Sequence, residues 1–194
     1  MIGKPPLELD FGRARFIESF EGLKNLNMWQ GKDLIARRLL RELEGKEVVA
    51  LGAGIPETIR PLLPSGMRVV SVSGNGSHSS VDVAVLDAQE VSARGELLAP
   101  GSASDEALKA PKWIVATLHT KSDGSPKLVR ECTDKSGLLS PRRVDLVITE
   151  LGVVEISSVG LVLKEIAPGV ASDEVKMKTG ASLHVADDVR TMEL

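Results

Sequence analysis

The sequence predicts a single α/β domain built on a mostly parallel open sheet with flanking helices. The chain has 194 residues, 42% of them hydrophobic and 26% charged, which is enough to bury one core. A predicted strand at residues 47–51 runs through glycines into a helix start, as strands of parallel sheets do. The run at residues 81–86 is apolar on both faces, which is typical of a strand inside a parallel sheet.

Composition and charge argue against several classes of protein. The formal net charge is −3, which disfavours a partner held through nucleic-acid phosphates. Cys132 is the single cysteine, so the chain has neither an internal disulfide nor a thiolate metal site, and we predict a structural thiol. The N-terminus lacks a signal segment and no apolar run is long enough to span a bilayer. We therefore expect a cytoplasmic protein with no membrane, nucleic-acid or metal partner.

The N-terminal part is predicted to be an extension, residues 1–30, followed by one domain at residues 31–194. The three phenylalanines, Phe11, Phe16 and Phe20, fall at spacings that can form one apolar helical stripe. We expect this extension to pack on the domain or on a partner.

The clearest predicted helix covers residues 30–43. Apolar residues recur every four positions along it: Ile35, Leu39 and Leu43. Gly45 is a natural stop. Arg37 and Arg38 are expected on its surface, in a structural role.

Two strands lead into glycine-containing segments, which are the candidate binding elements. Gly52 and Gly54 separate the first strand from a helix predicted at residues 58–63, and they leave room for a ligand. The β-branched strand at residues 67–72 breaks into a turn of Ser73, Gly74, Asn75 and Gly76. A tight turn without function explains the same four residues.

The rest of the chain is predicted to contain further strands and a final helix. Strands are predicted at residues 81–86 and 111–120, and a strand with a tight turn at residues 89–97. Ser172 is predicted to cap a final helix at residues 173–178, which has acids at its start and lysines at its end.

Taken together, these blocks resemble the B, or beta, subunit of the class I CoA-transferases, the family of 3-oxoacid, 3-oxoadipate and acetate CoA-transferases. The similar segments are Ile-Ala-Arg-Arg at residues 35–38, Leu-Gly-x-Gly-x-Pro at 51–56, Gly-x-Ala-x-Asp at 101–105, and the series of strands from 111 to 170. The resemblance implies a fold like that of the NagB, RpiA and CoA-transferase proteins. It also implies pairing with an A-type subunit or a homo-oligomer.

The resemblance further implies that coenzyme A or an acyl-CoA is a substrate or ligand, with no permanently bound cofactor. The residues it places at the substrate are Gly52, Gly54, Ser73, Asn75, Gly76, Gly101 and Asp105.

The chain departs from the family where the chemistry is expected. Family members have Ser-Glu-Asn-Gly in the turn, and its Glu attacks the acyl-CoA and stores CoA as a glutamyl thioester; Gly74 stands at that position. Only four residues, 77–80, separate the turn from Val81, where the family has a longer segment. Asp87 stands where the family usually has glycine. Glu57 is the neighbouring carboxylate that we consider as a substitute nucleophile.

Two functions therefore stay open. The chain resembles the B subunit of an enzyme that transfers CoA between an acyl-CoA and a carboxylic acid. The alternative is a catalytically degenerate relative that keeps the fold as an acyl-CoA-binding or assembly subunit. Because Gly74 has no side chain to act as a nucleophile, we expect no classical glutamyl-thioester turnover.

Overall fold

The computed structural model describes residues 20–72, 80–103, 105–139 and 144–194. The helices are α1 (Phe20–Glu42), a 3-10 helix (Pro56–Leu62), α2 (Asp105–Leu108) and α3 (Ser172–Met177). The strands are β1 (Val48–Leu51), β2 (Arg68–Ser71), β3 (Val83–Leu86), β4 (Glu90–Ser92), β5 (Leu97–Leu98), β6 (Trp113–Ala116), β7 (Leu128–Val129), β8 (Leu138–Leu139), β9 (Leu146–Ile148), β10 (Gly152–Ser157), β11 (Gly160–Ile166) and β12 (Leu183–Thr191). Within these ranges no helix is long and apolar enough to cross a membrane.

The main sheet has eight strands in the order β12-β11-β10-β9-β6-β3-β1-β2. Its five strands from β9 to β2 are mutually parallel, whereas β10 runs antiparallel to both neighbours and β12 is again parallel to β11. This confirms the predicted mostly parallel open sheet. A second, four-stranded sheet, ordered β7-β4-β5-β8, was not predicted from the sequence.

The central strands are buried on both faces, which explains their continuous apolar sequence. Every residue of β1, β3 and β6 is buried. Side chains alternate between two cores, so that Trp113 of β6 packs in one cluster and Ile114 in the other. Helix α1 covers the face that contains Ile114, while the second sheet and α3 contribute to the opposite core. The sheet therefore lies between two apolar layers.

Helix α1 is longer than predicted, because it begins at Phe20 and continues without a break past residue 30. Its predicted apolar stripe is confirmed: Ile35, Leu39 and Leu43 are almost completely buried. Gly45 follows the helix with a φ of 73°, a conformation that favours glycine. Residues 1–19 lie outside the described residues, so the separate extension at 1–30 stays a prediction.

The surface position predicted for both arginines of α1 is wrong for Arg38. Arg37 is exposed and pairs with Asp33, but Arg38 is only 6% exposed. Its Nε donates to Glu165 Oε2 at 2.6 Å and its Nη2 to Glu42 Oε1 at 2.9 Å. Arg38 follows Ile35 by three positions, so it lies on the buried face, where it meets a carboxylate 127 residues later in the chain.

The predicted cap of the last helix is also wrong. Ser172 is the first residue of α3, and Ala171 occupies the N-cap position without a side-chain hydrogen bond. Acidic and basic side chains pair along α3 and its C-cap, Lys176 with Asp173 and Lys178 with Glu174.

Candidate functional site

A cavity of about 290 Å³ opens at the carboxyl ends of the parallel strands. Gly52 and Ala53 follow β1, Val72 follows β2, and Leu86 ends β3 directly before Asp87. The segment after β5 closes the other side with Ala99, Pro100, Gly101 and Ser102. Ligands of open α/β sheets bind at this end of the strands, because strand-to-helix loops diverge there and leave a crevice.

The three glycine positions at this edge differ in how much space surrounds them. The N–H of Gly52 donates to Val85 O at 2.8 Å, and a Cβ on Gly52 would lie 3.2 Å from the same oxygen. Gly54 has a φ of 86°, and a Cβ there would overlap Asp87 Oδ2. A Cβ on Gly101 would meet nothing within 4 Å. The fold therefore needs Gly52 and Gly54, whereas Gly101 leaves space open on the cavity wall.

Asp87 is the charged residue among the described residues that line this cavity. Its Oδ1 accepts the N–H of Ala88 at 2.7 Å, and its Oδ2 lies 3.5 Å from the nitrogen of Ile55. The ammonium of Lys127 is 3.8 Å from Oδ1. The Asp87 side chain is 18% exposed, and its carboxylate lines the cavity.

A second cavity, of about 350 Å³, shares Asp87 and Pro100 with the first. Its polar wall contains two ion-paired lysines. Lys121 Nζ binds Glu90 Oε1 at 2.6 Å, and the N–H of Thr133 donates to Glu90 Oε2 at 2.6 Å. Burial would raise the pKa of Glu90, but the hydrogen bonds from Lys121 and Thr133 outweigh it, and the pKa is lowered. Glu90 is therefore an ionised, fully partnered carboxylate.

Lys127 lines the second cavity and reaches the end of the central strand β6. Its Nζ donates to Ala88 O at 2.7 Å and to Thr117 Oγ1 at 2.6 Å. Burial lowers the pKa of Lys127, while the charges of Asp87 and Glu150 oppose this effect. The lysine thus holds the segment that carries Asp87 against β6.

Next to Lys127 lies a buried histidine. His119 Nδ1 is 3.0 Å from Thr149 Oγ1 and Nε2 is 2.9 Å from Thr179 Oγ1. Burial lowers its pKa to about 4, assisted by the positive charge of Lys178. The N–H of His119 donates to Glu150 Oε2 at 2.8 Å, and burial raises the pKa of Glu150. The imidazole is neutral at pH 7 and connects three loops at the carboxyl edge.

The structure brings together only part of the site predicted from sequence. Gly52 and Gly101 line the same cavity. Residues 73–79, which include Ser73, Gly74, Asn75 and Gly76, lie outside the described residues, although Val72 immediately before them lines the cavity. Asp105 begins α2. Gly54 borders the cavity through its contact with Asp87.

Glu57 does not line this cavity. It lies on the 3-10 helix, where both carboxylate oxygens pair with the exposed guanidinium of Arg60. An exposed ion pair of this kind neither desolvates the carboxylate nor directs it toward the crevice.

Two other cavity-facing side chains, Glu90 and Lys127, were missed from the sequence, and Asp87 was recognised only as a departure from the family. The available sequence signal was their position: Asp87 follows a buried strand directly, at the end where parallel strands carry their ligands. The pairing of Asp87 with Lys127, 40 positions later, has no local signal.

Cys132 is a buried thiol with a raised pKa. Cys132 is buried, its Sγ donates to Glu96 O at 3.6 Å, and burial raises its pKa to about 11. A thiol with this pKa is protonated and unreactive near pH 7. Within the described ranges, no group of three His, Cys, Asp or Glu residues is placed to hold a metal ion.

Comparison with solved structures identifies the fold. The acyl-CoA transferase YdiF of Escherichia coli O157:H7, solved as a thioester complex with CoA, superposes with a TM-score of 0.65 at 20% identity, over 84% of this chain and 43% of that one. The decarboxylase AibA/AibB superposes with a TM-score of 0.65 at 18% identity, over 84% and 88% of the two chains. The chain therefore has the CoA-transferase fold.

Sequence relatives give the family. The beta subunit of the acetate CoA-transferase of Haemophilus influenzae is 29% identical over 84% of this chain and 96% of that protein. The beta subunit of a probable coenzyme A transferase of Bacillus subtilis is 37% identical over 54% and 52% of the two chains. No family model matches the chain. The chain is thus a homologue of the beta subunits of class I CoA-transferases.

Proposed function

We propose that the chain is a beta-type subunit that binds an acyl-CoA at the carboxyl edge of its eight-stranded sheet and does not use a glutamyl thioester. The observation that carries this proposal is the cavity of about 290 Å³ between Gly52 and Gly101. Its volume lies at the lower end of ligand pockets, roughly 300–1,000 Å³, and suits a short acyl group rather than a whole CoA. Both glycines fall in segments that the family resemblance places at the substrate.

The chemistry of the turn at Gly74 argues against the family's covalent route. A glutamyl thioester forms when a carboxylate attacks the acyl carbonyl, releases the CoA thiolate, and is itself attacked by that thiolate. Glycine has no side chain that could take this role. Backbone donors at the same edge are still able to polarise a thioester carbonyl.

The remainder of the CoA requires a surface beyond this cavity. Relatives of this chain are named as beta subunits. We therefore propose that an A-type subunit, or a second copy of the chain, supplies the surface for the nucleotide part of the ligand.

Two other functions make different predictions. A purely structural assembly role would give binding to an A-type subunit without binding of any CoA thioester. A non-transfer reaction on an acyl-CoA is the second candidate, because the fold also occurs in the decarboxylase AibA/AibB. In that case the complex would turn over an acyl-CoA without forming a CoA adduct on the chain.

The proposal is tested by intact-mass spectrometry and calorimetry on the purified chain, alone and co-expressed with an A-type subunit. Incubation with acetoacetyl-CoA or succinyl-CoA followed by borohydride should leave the mass of the chain unchanged, while titration with CoA and its thioesters should give saturable binding. The variant Gly74→Glu provides the positive control for an adduct. A CoA-sized or reduced adduct on the unmodified chain would overturn the proposal. If the complex with the A-type subunit does not bind CoA or its thioesters, the proposal is overturned in favour of the structural assembly role.

A further inference from the structure

We infer that Asp87 makes this site favour acyl groups that carry no carboxylate of their own. The inference rests on the proposed function, since it names the class of acyl-CoA that the cavity prefers. It follows from the placement of one carboxylate on a wall whose other described residues are uncharged.

The first cavity combines apolar walls with a single negative charge. Its other described lining residues are glycine, alanine, valine, leucine, proline and serine. None of these offers a cation to the carboxylate of a dicarboxylic acyl group, such as succinyl. The acyl chain itself meets a surface of small and apolar side chains, which suits an alkyl group.

Lys127 forms an ion pair with Asp87 but lies on the side away from the first cavity. Lys127 Nζ is 3.8 Å from Oδ1, farther than from its hydrogen-bond acceptors Ala88 O and Thr117 Oγ1, at 2.7 and 2.6 Å. Lys127 also lines the second cavity and not the first. The ammonium therefore compensates Asp87 from behind, while the carboxylate faces the first cavity.

Asp87 is also held in place. Oδ1 accepts the Ala88 N–H at 2.7 Å, and Oδ2 lies 3.5 Å from the nitrogen of Ile55. A side chain held at both oxygens cannot turn away without losing these contacts. The negative charge is thus a constant feature of the wall rather than one rotamer among several.

The expected size of the effect follows from Coulomb's law. Two like charges roughly 6 Å apart repel by an amount equivalent to about 3-fold in affinity in water and about 100-fold at an effective dielectric constant of 20. The ammonium of Lys127, 3.8 Å from Oδ1, offsets part of this repulsion. We therefore expect about a threefold preference for an uncharged acyl group over an anionic one of the same length.

The test compares butyryl-CoA with succinyl-CoA, because both acyl groups have four carbons and only succinyl ends in a carboxylate. Dissociation constants are measured by calorimetry on the chain in complex with its A-type subunit. Butyryl-CoA should bind about threefold more tightly than succinyl-CoA. Asp87→Asn, which keeps the shape and an acceptor for Ala88, should remove this difference. Asp188→Asn is the matched control, since its exposed carboxylate pairs with Lys164 on the distant β12 side of the sheet.

The outcomes separate the inference from the proposed function. Equal affinities for butyryl-CoA and succinyl-CoA in the unmodified protein would overturn the inference, and so would a preference that persists in Asp87→Asn. In both cases, saturable binding of butyryl-CoA would still uphold the proposed function. If neither thioester binds, both the inference about Asp87 and the proposed function are overturned. Melting temperatures identify a variant that does not fold, and Asp87→Gly then serves as a second removal of the charge.

Discussion

His119 makes the stability of this protein depend on pH in a way that can be calculated from its surroundings. The side chain is fully buried. Thr179 Oγ1 donates its proton to Val175 O at 2.8 Å, so it accepts from His119 Nε2–H. Nδ1 lies 3.0 Å from Thr149 Oγ1, a hydroxyl that also donates to Gly152 O at 3.2 Å. Both ring nitrogens of His119 therefore have a hydroxyl partner inside the fold.

The magnitude follows from the shift in proton affinity. The pKa of His119 is lowered from 6.5 to about 4, first by burial and then by the charge of Lys178. Each tenfold change in proton affinity is worth about 1.4 kcal/mol, so the unfolded state gains roughly 3 kcal/mol from protonation below pH 4. The stabilisation is fully present above pH 6.5 and is lost as the pH falls toward 4. Between pH 7.5 and pH 5 the free energy of unfolding should fall by roughly 2 kcal/mol from this residue.

The assay is urea denaturation of the unmodified chain and of His119→Gln, at a series of pH values between 7.5 and 5. The variant is expected to be less stable at pH 7.5, because its amide does not reproduce both hydrogen bonds, but to lose roughly 2 kcal/mol less on acidification. His184→Gln, which removes an exposed histidine, should retain the pH dependence of the unmodified chain. Parallel pH profiles for the unmodified chain and His119→Gln would refute the reasoning.

Two further predictions concern stability. Glu165→Gln should lower the free energy of unfolding by about 3 kcal/mol in urea denaturation, because it leaves the buried guanidinium of Arg38 without its main partner. Combining it with Arg38→Met should restore most of the loss, and additive losses in the double variant would contradict this account. Gly54→Ala should cost about 2 kcal/mol, since alanine is strained at a φ of 86° and its Cβ overlaps Asp87. Gly101→Ala, where a Cβ meets nothing, should change the melting temperature little; equal effects of the two would argue against the strain.

The Arg38 pair also has a pH dependence of known direction. Burial would raise the pKa of Glu165, but hydrogen bonds and charge from Arg38, aided by Arg190, lower it overall. A lowered carboxyl pKa contributes stability above the unfolded value near 4.5, and this is lost as the pH falls below it. The histidine and the carboxylate therefore act in successive windows, above and below about pH 4.5.

Sequence alone was sufficient for the fold class. The central strands are buried on both faces, so their apolar character appears as a continuous run, as at β3. The glycines at 52 and 54 mark the carboxyl edge because the backbone conformation and the close approach of β3 require them. These features depend on residues next to one another in the chain, which a periodicity or a turn pattern can detect.

Only the tertiary structure decided which charged groups meet. Arg38 finds Glu165 after 127 positions, and Asp87 finds Lys127 after 40. The second sheet likewise pairs β5 with β8 across about 40 residues. The identity of such partners depends on how the layers pack. The sequence around one residue of a pair does not indicate which residue is its partner. Burial then decides whether an arginine on a helix face is solvated or ion-paired, because a charge removed from water must find its partner inside the fold.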